Sequence, residues 1–344
     1  MAVRTYKIAG KNISPVNLIY FLVFTILGAL AVWYCIKSIN DFDEFIMHLK
    51  SVNYFYIGLS LVFSFTAFII RALRWNILIN TLGYKPSAYD TYNAVIIGYM
   101  ANLAVPRIGE LTRCATLYKT DRIPVNSLFG TVVTERIIDM LSLFVITFLA
   151  FFVRMDLFST FVNDRIITTW KPAFENLSLV AVTVIALAII LMMAAAYISF
   201  KRLLKRPSMR KFKTMLTGLS DGLKSVFKMR EKFHFIGYTI AIWTCYMLST
   251  YFIIIALPAT STLTAADGLL LLVLGSLGWI VPVPGGFGTF HTLVAWGLML
   301  YGISFDTGLM FATISHETQL LIMVFFGLIA LISVSLTKNK SKCP

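Results

Sequence analysis

Charge is scarce in this sequence. Only 13% of its 344 residues are Asp, Glu, Lys or Arg, against about a quarter in a soluble globular domain. Hydrophobic residues make up 58%, and mean hydropathy is +0.80. No stretch between the apolar runs is long enough to bury a core of its own, which excludes a soluble enzyme on an anchor. Cysteine is sparse too: Cys35, Cys114, Cys245 and Cys343 are scattered, with no CxxC spacing. That excludes a disulfide framework and a cysteine-held zinc. HExxH and P-loop arrangements are missing, so the metalloprotease and ATP-driven classes lack their signatures. Acidic residues number 16 against 30 basic ones, a net charge of +14. The basic residues sit in loops between apolar runs, the positive-inside pattern, and not on a folded face that would bind nucleic acid.

The apolar runs themselves set the architecture. Six are long enough to cross a bilayer: Val16 to Ile36, Tyr54 to Leu73, Leu128 to Val153, Leu177 to Phe200, Phe235 to Leu257 and Gly308 to Leu336. The run after the basic N-terminus is too long for a signal peptide and reads as a retained span. Two further apolar stretches are interrupted. Tyr89 to Leu117 breaks at Pro106 and Gly109. Asp267 to Tyr301 breaks across Pro282, Pro284, Gly285, Gly286 and Gly288. A short helix, a Pro/Gly break and another short helix predict a re-entrant hairpin, tolerated in a membrane only where protein or a cavity surrounds it. Counting each arm as a span would give ten crossings and the same ends.

The order span, span, hairpin, span runs from 16 to 153 and again from 177 to 336. Three crossings per unit require the second unit to be inverted. TVVTERIIDML (131–141) pairs with FATISHETQLL (311–321), and VPRIGE (105–110) with VPGGFG (283–288). The expected fold is an all-α polytopic membrane protein. It forms one integral-membrane domain over 1–344, with six full transmembrane helices plus two re-entrant helical hairpins in an inverted repeat. Charge asymmetry places both termini in the cytoplasm, at the inner (plasma) membrane. Residues 201–232 read either as a basic amphipathic helix on the anionic inner leaflet or as a plain positive-inside loop.

Charges inside the apolar text are the candidate functional residues, since a charge at the bilayer centre costs roughly 2.5–3.5 kcal/mol on insertion scales. Arg107, Glu110 and Arg113 are spaced by three and share a face if the segment after Pro106 is helical. They read as a phosphate site or as an internal salt bridge. Glu135 and Asp139 share a face, with Arg136 adjacent. They hold a cation or neutralise the hairpin arginines. Arg71, Arg74 and Trp75 read as the headgroup-level end of a span. The Pro284–Gly288 turn offers free backbone N–H groups, or is a tight bend. His291, His316 and Glu317, on separate segments, are a thin ligand set. Polar contacts are expected there, with neither metal nor cofactor.

RALRW (71–75), NLAVPRIGELTR (102–113), TERIID (134–139) and PVPGGFGTFH (282–291) together carry a family resemblance. The chain resembles the flippase-like membrane domain of lysyl-phosphatidylglycerol synthase/flippase proteins (the MprF group) and stand-alone relatives of the YbhN and AglD kind. The resemblance implies re-entrant helices and lipid translocation between leaflets. The family usually has Glu where this chain has His291. Only eight residues follow Leu336 here, so the expectation is translocation without lysyl-lipid synthesis.

The expected function is a flippase for an anionic or aminoacylated phospholipid or a polyprenyl-phosphate-linked lipid, and not an enzyme. Two alternatives stay open. One is an integral-membrane enzyme acting on a lipid phosphate, with His291 or Glu135 as acid/base. The other is a membrane partner subunit of a lipid-modifying transferase. The expected partners are membrane lipids and not nucleic acid; homo-oligomerisation stays open. Expected substrate-binding residues are Arg71, Arg74, Asn102, Arg107, Glu110, Arg113, Glu135, Arg136, Asp139, Gly285, Gly286, Gly288, His291, His316 and Glu317.

Overall fold

A computed structural model describes residues 6–8, 11–13, 50–155, 229–281 and 283–336, with a few isolated positions between them. The expected spans Val16 to Ile36 and Leu177 to Phe200 and the basic 201–232 segment lie outside the described residues. Among the described residues, a short antiparallel ribbon, β1 (Tyr6–Ile8) with β2 (Lys11–Ile13), is the exception to helix.

Asn53 caps the first described helix, α1 (Tyr54–Asn80), its side chain accepting from the Phe55 N–H at 3.1 Å. Its 27 residues span about 40 Å, more than a bilayer core. The sequence reading ended this span at Leu73 with its arginines at headgroup level. The helix instead continues, and Arg71, Arg74 and Trp75 are all buried. The reason is spacing: positions 71, 74, 75 and 78 lie on one face, and carboxylates from another helix meet that face.

Helix α2 (Ala88–Ala104) is capped by Ser87, which accepts from the Asp90 N–H and donates to its carboxylate. It stops because Pro106 forces Val105 into an extended conformation. Helix α3 (Gly109–Asp121) then runs back alongside α2. Gly98 and Gly109 touch backbone to backbone, and a Cβ on Gly98 would lie 2.8 Å from the Gly109 carbonyl oxygen. Only glycine allows the arms to close this tightly. The Asn102 Oδ1 accepts the Gly109 N–H at 2.7 Å and latches the turn. Arg122, left-handed at φ 60°, ends α3 ahead of Pro124 and α4 (Val125–Val153).

The same order recurs. Helix α5 (Lys232–Ala256) is long. Helix α6 (Ala265–Ile280) opens on a capping box of Thr264 and Asp267, and a Pro284–Gly286 turn follows it. Helix α7 (Thr289–Met299) runs back along α6, and α8 (Phe305–Leu336) is long. Gly278 lies against the Phe290 backbone as Gly98 lies against Gly109. Long, short, break, short, long therefore occurs twice, and the short helices hold 17, 13, 16 and 11 residues. At 1.5 Å per residue none reaches the roughly 30 Å of a hydrocarbon core.

Helices α1, α4, α5 and α8 are long and apolar enough to cross a membrane. They are four of the six expected spans. Helices α1 and α5 pack through small residues, with Ser60 and Ser64 each 2.8 Å from the Ser249 hydroxyl. Helix α8 lies on α2, where Gly327 accommodates Met100. The two breaks meet: Arg107 reaches the Ile280 carbonyl, and Leu103 lies over Gly285.

Candidate functional site

Buried charges gather where α1, α3 and α4 converge. Arg71 Nη1 donates to Glu135 Oε1 at 2.8 Å and to Asp139 Oδ2 at 2.7 Å. Arg74 Nη2 donates to Asp139 Oδ1 at 2.6 Å and to Glu135 Oε1 at 3.3 Å. Arg113 Nη1 lies 3.0 Å from Glu135 Oε2. Three guanidinium groups thus share two carboxylates, which leaves one positive charge in excess. Tyr246 and Thr239 of α5 accept from Arg71 and Arg74. Arg113 stacks 4.5 Å over the Trp75 ring, whose indole N–H is held by Thr131 at 2.9 Å. Pairing of this kind is what makes ions tolerable in a low dielectric. Glu135 is wholly enclosed, so it balances arginines and does not line an opening.

A pocket opens beside this network. Its lining is Val95, Gly98, Tyr99 and Asn102 of α2, Gly109, Glu110 and Arg113 of α3, and Arg136 of α4. The cavity is about 10 Å³, room for about one water. Arg113 is only 3% exposed, yet its Nε and Nη2 have no hydrogen-bond partner. Arg136 Nε stands 3.5 Å from Glu110 Oε1, a half-exposed pair at the pocket wall.

Arg107, Glu110 and Arg113 share a face only if helix resumes directly after Pro106. It does not: α3 begins only at Gly109, and Arg107 precedes it in the left-handed region at φ 63°. Arg107 therefore turns toward α6, while Glu110 and Arg113 stay together on the pocket. The pocket lies within the first hairpin and against α4.

The second hairpin gathers a separate group. Gly285 and Gly286 turn the chain at φ 59° and 73°. His316 Nε2 donates to the Gly285 carbonyl at 2.7 Å, and its Nδ1 faces Glu317 Oε1 at 3.1 Å. His291 Nε2 is 4.0 Å from the same oxygen. Gly288, at φ 77°, precedes the first residue of α7. In both halves a titratable residue on the long helix after the hairpin holds that hairpin: Glu135 grips Arg113, and His316 grips Gly285.

Sequence reasoning missed Thr131, Thr239 and Tyr246, which look like ordinary helix residues until their partners are placed, and it set Trp75 at headgroup level, outside the buried network. It also missed Gly98 and Tyr99. Their spacing of four and three before Asn102 was the available signal.

Residues 18–327 match the family model described as lysylphosphatidylglycerol synthase TM region. The chain belongs to this family. Membership and four apolar spans make it a multi-pass membrane protein of a lipid-related family. A UPF0104 membrane protein of Methanocaldococcus jannaschii is 30% identical over 121 residues, 34% of this chain and 35% of the relative. The match thus spans about a third of that relative's length. No solved structure matches the chain.

Proposed function

We propose that this chain moves an anionic or aminoacylated phospholipid, or a polyprenyl-phosphate-linked lipid, between membrane leaflets without altering it chemically. The observation that carries this reading is Arg113: a buried guanidinium with two nitrogens lacking hydrogen bonds, set on a pocket beside Asn102 and the Glu110–Arg136 pair. Intramembrane charge with donors to spare is the chemistry of a phosphate site. A phosphate oxygen entering the pocket competes with Glu110 for Arg136, and its negative charge offsets the single positive charge in excess on the adjoining network. The small cavity corresponds to a closed state, and separation of α4 from the hairpin admits a headgroup while the acyl tails stay in the bilayer.

The rest of the architecture serves that movement. Segments 16–153 and 177–336 are inverted repeats, the hairpins are re-entrant, and both termini face the cytoplasm. Two broken helix pairs meeting at Arg107 and Ile280 are the arrangement that discontinuous-helix transporters use around a central site. Reconstitution into sealed vesicles with a leaflet-selective fluorescent anionic lipid tests the reading. Wild type should exchange the lipid at least tenfold faster than Arg113→Gln, by the roughly 1.4 kcal/mol that one charge-assisted contact supplies. Mass spectrometry should recover the lipid unchanged. New covalent lipid products would instead establish an enzyme.

A further inference from the structure

His291 of α7 and His316 and Glu317 of α8 converge so that one donor atom from each lies within 4.8 Å of the others. The Gly285 carbonyl can only accept, so His316 Nε2 carries the proton in their 2.7 Å hydrogen bond. The other ring nitrogen, Nδ1, then points a lone pair at Glu317 Oε1 from 3.1 Å. Two lone pairs at that distance need a positive centre between them, either a second proton or a metal ion.

His291 decides between the two. A proton bridges two donors and has no use for a third. His291 is nevertheless aimed at the same carboxylate oxygen, 4.0 Å away. Its side chain is 8% exposed, and neither ring nitrogen has a hydrogen-bond partner. We propose that His291, His316 and Glu317 hold a divalent transition-metal ion of the zinc class.

The set is two imidazoles and a carboxylate, a borderline ligand combination that zinc accepts with an open fourth position. Tetrahedral zinc with bonds of about 2.0–2.1 Å places its ligands roughly 3.3 Å apart. The spacings here reach that by small side-chain rotations. The bond from His316 to the Gly285 carbonyl is the outer contact that fixes a ligating imidazole's tautomer and orientation. Stacked Trp279 on His316 and Phe287 on His291 form an apolar shell. Glu317, 19% exposed, gives the way in.

This proposal is independent of the transport reading, and its test contains no lipid substrate. The full chain in detergent micelles is stripped with chelator, dialysed against zinc and assayed by elemental analysis. Cobalt(II) substitution then reports coordination number by its visible spectrum. Wild type and His234→Ala should each hold about one zinc ion per chain. His291→Ala and Glu317→Gln should lose it, and His291→Glu, which supplies a carboxylate oxygen where the imidazole nitrogen stood, should keep it. Size-exclusion profiles establish that each variant is folded. Absence of stoichiometric zinc in wild type, or retention of wild-type zinc in folded His291→Ala and Glu317→Gln, overturns the site.

Discussion

Glu135 touches Arg71, Arg74 and Arg113 and has no exposed surface. Glu135→Gln therefore leaves buried guanidinium groups uncompensated, and should cost about 3–5 kcal/mol in equilibrium unfolding from mixed micelles. A loss below about 1 kcal/mol would mean that water reaches the network. The Glu110–Arg136 pair is different because it is partly exposed at 3.5 Å. A double-mutant cycle there should give a coupling of about 1 kcal/mol or less for stability. Its larger effect should fall on lipid exchange. His316→Ala removes the donor to the Gly285 carbonyl and should cost roughly 1–3 kcal/mol, read by the same unfolding measurement. The faces of these residues were legible: Glu135 with Asp139, and Arg71 with Arg74, follow from helical spacing. Their pairing across more than sixty residues of sequence was not, because spacing on one helix carries no information about which helix lies opposite.

At the scale of elements, the breaks matter more than the spans. Pro106 and the Pro284–Gly288 run announced both interruptions, since proline ends a helix before itself and glycine admits positive φ. The details escaped. Nothing in the text shows that Arg107 turns left-handed and that helix resumes only at Gly109, and this separates Arg107 from Glu110 and Arg113. The seam between the arms is testable. Gly98→Ala drives a methyl to 2.8 Å from the Gly109 carbonyl oxygen and 3.2 Å from the Arg113 Cβ. It should destabilise the protein by about 1–3 kcal/mol as an overpacked contact and spread the pocket walls. Gly58→Ala has nothing within 4 Å of the new methyl and should be near neutral in the same unfolding series. Equal losses for the two would show that the hairpin seam is loose.

Across the whole molecule, two units of like order are tied together at several places among the described residues, besides the packing of α1 on α5. Arg154, just past α4, holds Asp267 of α6 at 2.6 Å, Arg107 reaches Ile280, and α8 packs on α2. Composition alone indicated a membrane protein, and the repeat order was readable from run lengths and breaks. The placing of the pocket inside the first hairpin was not readable, because it depends on Arg136 arriving from α4. The central claim is that this pocket handles the charged end of a lipid that crosses the bilayer. The direct measurement is the rate of anionic-lipid exchange between leaflets in sealed vesicles carrying wild type, Arg136→Gln or no protein. Exchange should be fast with wild type and slowed at least tenfold by Arg136→Gln, about 1.4 kcal/mol of lost phosphate contact. Wild type exchanging lipid no faster than protein-free vesicles, or the variant matching wild type, would contradict the account.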